Sequence, residues 1–131
     1  MYRWVEHTAE VELEIEAASE QEVFALALHG LAELLGFGDA RDAAERRTVS
    51  AGARDRPALL ANWIEELVFL AESDGFIATS LVDLSLEGEQ AHGTVAGLIG
   101  DPPPLVKAVT FHRLVFEARP DGYFARVVLD V

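Results

Sequence analysis

Val11-Glu12-Leu13-Glu14-Ile15-Glu16-Ala17-Ala18-Ser19-Glu20-Gln21-Glu22-Val23 changes its period halfway along. From 11 to 16, apolar and acidic residues alternate strictly. Val11, Leu13 and Ile15 point to one side and the glutamates to the other, the pattern of a half-buried antiparallel strand. At Ser19-Glu20-Gln21-Glu22 the alternation gives way to a capping box, in which the serine oxygen caps a free amide and the glutamate reaches back. Beyond it Val23, Leu26, Ala27, Leu31 and Leu34 recur at helical spacing. Gly36 and Gly38 end that run, because glycine adopts the left-handed stop freely.

Working outward, residues 2–5 predict a short strand, and His7-Thr8-Ala9-Glu10 interrupts before the alternation starts. Residues 39–45 are polar and charged, a connection or short helical turn. Arg46 to Ala53 predicts a brief edge strand. Asp55-Arg56-Pro57 opens a second helix, with Pro57 in the first turn where its missing amide costs nothing. Leu60, Trp63, Ile64, Leu67, Val68 and Ala71 form its apolar stripe, and Ser73-Asp74-Gly75 ends it. After Gly75, everything reads as strand. Leu81–Leu86 and Gln90–Leu98 flank a Glu87-Gly88-Glu89 turn, and Gly100-Asp101-Pro102-Pro103-Pro104 is a stiff extended loop. Lys107 to Ala118 is a long strand, Arg119-Pro120-Asp121-Gly122 a hairpin turn, and Tyr123 to Val131 the last strand. The order predicts an α+β fold, an antiparallel β-sheet with two amphipathic helices packed on it, in a single domain over residues 1–131. Leu26, Leu31, Leu34, Trp63, Ile64 and Leu67 should cover one sheet face, with Val109, Phe111, Val127 and Leu129 on or beside that face.

The chain has 131 residues, inside the usual single-domain range of roughly 100–200. Half of them are hydrophobic and a quarter charged, which excludes intrinsic disorder. No apolar run approaches the ~18 residues of a membrane span, so no membrane association is expected. Met1-Tyr2-Arg3-Trp4-Val5-Glu6 has no apolar core of a secretory signal, and there are no cysteines. A reducing, cytoplasmic setting is expected, without disulfides, thiolate zinc or a cysteine nucleophile. Twenty-three acids against ten bases give a net charge of −13. That field repels phosphate backbones, so strong direct nucleic-acid binding is not expected; it suits hard cations or a basic protein partner. Nine of the ten bases are arginine, and Lys107 is the single lysine.

Familiar catalytic patterns are missing. Gly36-Phe37-Gly38 ends a helix rather than opening one, so it does not bind phosphates, and no Ser-His-Asp spacing is legible. Glu65 and Glu66 are adjacent on a helix and read as its solvated face. His29, His92 and His112 read as structural or surface residues. His7 sits in the break between two strands, where polar residues mark either a turn or a site. The end of the last strand is less ordinary. Asp130 precedes Val131, and two adjacent anionic groups repel unless a cation or solvent screens them. With Glu10 nearby, they would make an oxygen-only site for Ca²⁺, Mg²⁺ or Mn²⁺. Taken alone, a frayed terminus with two hydrated carboxylates is the simpler account.

Four separated stretches resemble archease: His7-Thr8-Ala9-Glu10; Leu60-Ala61-Asn62-Trp63-Ile64-Glu65-Glu66-Leu67; Val106-Lys107-Ala108-Val109-Thr110-Phe111-His112; and Arg126-Val127-Val128-Leu129-Asp130-Val131. The similarity runs in order along essentially the whole chain. It implies a small acidic α+β protein that activates an RtcB-type RNA ligase in tRNA splicing and RNA repair. Such a protein promotes guanylylation and turnover of the ligase as a protein cofactor and is not itself an enzyme. The resemblance also implies a divalent ion, with Ca²⁺ as the bound ion and Mn²⁺ or Mg²⁺ as functional alternatives. Its ligands would be Glu10, Asp130 and a main-chain oxygen of Val131, with Lys107 as the lysine of the strand motif. Glu10 stands where that motif usually has aspartate. It keeps the charge and the oxygen donor and adds reach, which calcium tolerates better than magnesium. Two other readings stand beside it: a metal-dependent phosphoester-processing enzyme using the same carboxylates, with His7 or Lys107 as acid or base, and a chaperone-like interaction module that does not depend on Glu10 or Asp130.

Overall fold

The computed structural model describes residues 1–40 and 43–131. Along these residues the order is β1 (Tyr2–His7), β2 (Glu10–Ala17), α1 (Glu20–Leu34), β3 (Glu45–Gly52), α2 (Arg56–Asp74), β4 (Phe76–Glu87), β5 (Gln90–Ile99), β6 (Ala108–Arg119) and β7 (Gly122–Asp130). The α+β class is as expected, but the strands divide into two antiparallel sheets. One runs β1-β2-β7-β6 and the other β3-β5-β4. β3 is an edge strand, as its composition indicates. Arg41 and Asp42, in the expected 39–45 connection, lie outside the described residues.

The helices join the two sheets. α1 packs on β2 and β4, and α2 on β6, β3 and β4, so each touches strands of both sheets. Ser19 caps α1 by accepting from the Glu22 amide at 3.2 Å, and the Glu22 carboxylate accepts from the Ala18 amide at 3.1 Å. Asp55 caps α2 in the same way, accepting from the Ala58 amide at 2.9 Å. Gly75 closes α2 in the left-handed conformation, with φ at 66°.

One contiguous core holds both helices to both sheets. Trp63 is fully buried and meets Phe24 edge-on, with ring centroids 5.8 Å apart. Ile64, Leu67, Leu31, Val127 and Leu129 are buried with it. Two expectations need correcting. On α1 the buried stripe is Val23, Phe24, Ala27, Leu28 and Leu31, while Leu26 and Leu34 are only half-buried at its rim. The packed face is turned toward Phe24 and Leu28, each about 100° round the helix from Val23 and Ala27 respectively and away from Leu26. Phe111 does not join the inner face and is 59% exposed. The β6–β7 ladder is regular up to Thr110↔Val128 and resumes at Val115↔Arg126. Four residues of β6, 111–114, thus stand against one of β7, Val127, so the alternation that put Phe111 beside Val109 stops at Thr110.

Candidate functional site

The site forms at the end of the four-stranded sheet where β2 begins and β7 ends. β1 turns into β2 through Thr8-Ala9, with His7 paired to Glu10 and Ala9 in the left-handed region at φ 60°. Glu10 pairs with Asp130 across β2–β7, and Asp130 pairs with Ala108 across β7–β6. Directly paired residues of an antiparallel ladder share a face. His7, Glu10 and Asp130 therefore stand in one row on the face turned away from the helices. Val131 follows, half-buried, its amide donating to the Ala9 carbonyl at 3.2 Å. The Lys107 amide donates to the Asp130 carbonyl at 2.8 Å. Segments near residues 7–10, 107–108 and 130–131 thus meet at one point.

The next rows carry an ionic network. Glu12 and Glu14 follow Glu10 on the same face. Glu12 is 6% exposed, although its strand pattern places it opposite the helix-facing residues. Arg113 Nη1 lies 3.2 Å from Glu12 Oε1, Arg126 Nε 3.4 Å from Glu12 Oε2, and His7 Nε2 3.8 Å from Glu12 Oε1. These are charge contacts rather than aligned hydrogen bonds, since Glu12 Oε1 and Arg126 Nε have no hydrogen-bond partner. Arg126 also reaches Glu14 at 3.7 Å, and Arg3 pairs with Glu14 from β1. Arg113 has a second contact, with Nη2 3.3 Å from Glu10 Oε1. Its guanidinium forks between Glu10 and Glu12. It comes from the irregular part of β6, where Arg113 holds the left-handed conformation at φ 55°.

Lys107 borders a different surface. It lines a groove of about 480 Å³ beside α2, with Asn62, Glu65, Glu66, Phe69 and Glu72. Glu65 and Glu66 are exposed, and so is Phe69 at 62%. His29, His92 and His112 are exposed, and His92 Nδ1 is 2.6 Å from Ser50 Oγ.

The donor chemistry of the strand ends fits a hard cation. Two carboxylates oppose each other on neighbouring strands, and Glu10 already has a cation, Arg113, as its counter-charge. Among the described residues, no three histidine or carboxylate side chains are gathered as a ready metal cage. A bound ion would therefore take much of its shell from the main chain and water. The sequence reading overlooked Arg113 and the burial of Glu12. The signal for Glu12 was its place between two other glutamates on a central strand. Arg113 directly follows the Val106–His112 stretch, but nothing in its spacing shows that the strand breaks there.

Residues 2–131 match the Archease protein family (MTH1598/TM1083). The protein archease of Pyrobaculum neutrophilum is 30% identical over 139 aligned residues, covering 99% of this chain and 95% of that protein. That of Methanopyrus kandleri is also 30% identical, covering 97% and 96%. Among solved structures, protein 1598 of Methanobacterium thermoautotrophicum superposes with a TM-score of 0.77 at 27% identity, covering 99% of this chain and 98% of that one. An archease of Thermotoga maritima, described as a possible chaperone, shares the fold with a TM-score of 0.67 at 23% identity. The same four stretches that meet around this sheet and its neighbouring helix lie within a match spanning almost every residue, and this chain belongs to the archease family.

Proposed function

We propose that this protein is a protein cofactor that activates an RtcB-type RNA ligase, promoting its guanylylation and multiple turnover in tRNA splicing and RNA repair, in the cytoplasm. It carries out no reaction of its own. The observation that supports this best is the convergence of Glu10, Asp130, Val131 and the Lys107 backbone at one sheet end of an acidic chain. Glu10, Asp130 and a main-chain oxygen of Val131 would hold a divalent ion, Ca²⁺ as the bound species or Mn²⁺ or Mg²⁺ in function. When bound, that ion supplies a hard positive centre with exchangeable water. The chain's own residues do the rest. The paired carboxylates orient toward the partner from a rigid strand end. The net charge of −13 draws the protein to an electropositive surface and away from free RNA. Lys107 is the basic member of a groove that also carries Glu65, Glu66 and Glu72, a second point of partner contact.

The test is multiple-turnover ligation by the host's own RtcB-type enzyme, with and without this protein. Wild type should raise turnover, and the Glu10→Ala/Asp130→Ala double variant should not. Equal activation by both would remove the carboxylate pair from the function, and no activation by wild type would remove the ligase. A chaperone-like second reading draws on the exposed Phe69 and Phe111 and on the description of the Thermotoga maritima relative. It requires suppression of aggregation of unrelated clients, unaffected by loss of Glu10 or Asp130.

A further inference from the structure

Arg113 combines three features that the proposed function leaves unused. It is a non-glycine residue in the left-handed region, at φ 55°. It sits in the stretch of β6 that leaves the ladder between Thr110 and Val115. Its guanidinium bridges Glu10 at 3.3 Å and Glu12 at 3.2 Å, using one nitrogen for each. A backbone conformation of this kind persists when the surroundings hold it, and here two ion pairs do so. A divalent ion on Glu10 needs the negative charge that Arg113 now compensates through Oε1. A doubly charged ion and a permanent guanidinium cannot share one carboxylate without strong repulsion. Glu12 remains available to the guanidinium, because it is deeper in the sheet and has Arg126 on its other oxygen.

We propose that Arg113 is a built-in counter-cation that competes with the divalent ion for Glu10, so that metal binding frees Glu10 from Arg113 and loosens the 111–114 stretch carrying Phe111. This rests on the reading of Glu10 and Asp130 as metal ligands. Arg113 keeps the carboxylates compensated when no metal is bound. Metal entry exchanges one of its two ion pairs for coordination, leaving the left-handed turn held by Glu12 alone. Occupancy of the strand ends is thereby coupled to an exposed aromatic side chain, since Phe111 is 59% exposed on the same stretch. Metal would alter the surface presented to a partner without any rearrangement of the core.

The experiment is calorimetric titration of wild type, Arg113→Gln and Glu10→Gln with calcium chloride alone, at fixed ionic strength. The glutamine at 113 removes the charge and keeps a donor for Glu12. Arg113→Gln should bind calcium about tenfold more tightly than wild type, and Glu10→Gln more weakly. Calcium binding by Arg113→Gln with none by wild type would support the proposal equally. Equal or weaker binding by Arg113→Gln than by wild type would overturn the competition and leave the metal site standing. Absence of calcium binding in both would overturn the competition and the metal reading together. If Arg113→Gln does not fold, hydrogen exchange in wild type decides. Faster exchange at 111–114 on adding calcium supports the proposal, and unchanged exchange despite measured binding overturns it.

Discussion

Tyr2 shows how much one residue at an edge can report. Its ring lies against α1 where Gly30 leaves room, since a Cβ at Gly30 would come within 3.3 Å of it. Burial raises its hydroxyl pKa above the usual 10.0, and the Glu33 carboxylate adds to this by its charge and by accepting the hydroxyl hydrogen bond. The folded state therefore holds this proton more tightly than the unfolded chain does. Its contribution to stability is complete below about pH 10 and falls away as pH rises through the higher folded value. Urea midpoints should drop more steeply above about pH 10 for wild type than for Tyr2→Phe. Identical slopes would show that Tyr2 is not linked to folding. Trp63 is the largest side chain buried completely, and Trp63→Ala should cost ~3–5 kcal/mol in urea unfolding. Lys107 makes the opposite prediction. It is exposed, so Lys107→Met should keep the wild-type urea midpoint and, under the proposed function, activate the ligase poorly. Full activation by that variant would reduce Lys107 to ordinary surface.

At the scale of elements, close approach and capping matter most. A Cβ at Gly97 of β5 would collide with the Ile77 carbonyl of β4, so nothing larger than glycine fits between the paired strands without moving them. Gly97→Ala should destabilise the protein by about 2 kcal/mol or more, and the loss should appear first as faster amide exchange along β4 and β5. Ser19→Ala removes the acceptor of the Glu22 amide and should cost about 1 kcal/mol, seen as a lower thermal midpoint. The β6 irregularity belongs to this scale too. It turns Phe111 outward, sends Arg113 across β7 to Glu10 and Glu12 on β2, and returns Phe116 to the core beside Phe24 at 6.1 Å between ring centroids.

At the scale of the whole molecule, charge leads. A chain of net charge −13 approaching a basic partner is steered over long range, and salt screens that steering. The association rate with the proposed RtcB-type ligase partner should fall by about tenfold or more between low and physiological ionic strength, while dissociation changes little. Stopped-flow mixing at several salt concentrations measures it, and a salt-independent rate would remove electrostatic steering from the account. Among the described residues no helix is long and apolar enough to cross a membrane.

Local chemistry was enough for the sequence to determine where the helices and most strands lie, the caps at Ser19 and Asp55, the stop at Gly75, the hairpin turn at 119–122 and the burial of Trp63. Each depends on residues within a few positions of one another or on a repeating apolar face. The stretch around Lys107 and Asp130 near the end of β7 were legible as motifs, but the register set by the turn holds only as far as Val115↔Arg126, so it does not by itself place Ala108 opposite Asp130. Three things depended on tertiary structure. Which distant strands pair is not written in any period, so the β2–β7 ladder that sets Glu10 opposite Asp130, and the division into two sheets, came only from the packed chain. The inserted residues of β6 leave no compositional mark, because Phe111, His112 and Arg113 would suit a regular strand edge equally well. Glu12 alternates like its neighbours, yet it is buried because arginines from two other strands close over it. Burial of a charge is decided by what lies across the sheet, and that information is spread over residues more than a hundred positions apart in the chain.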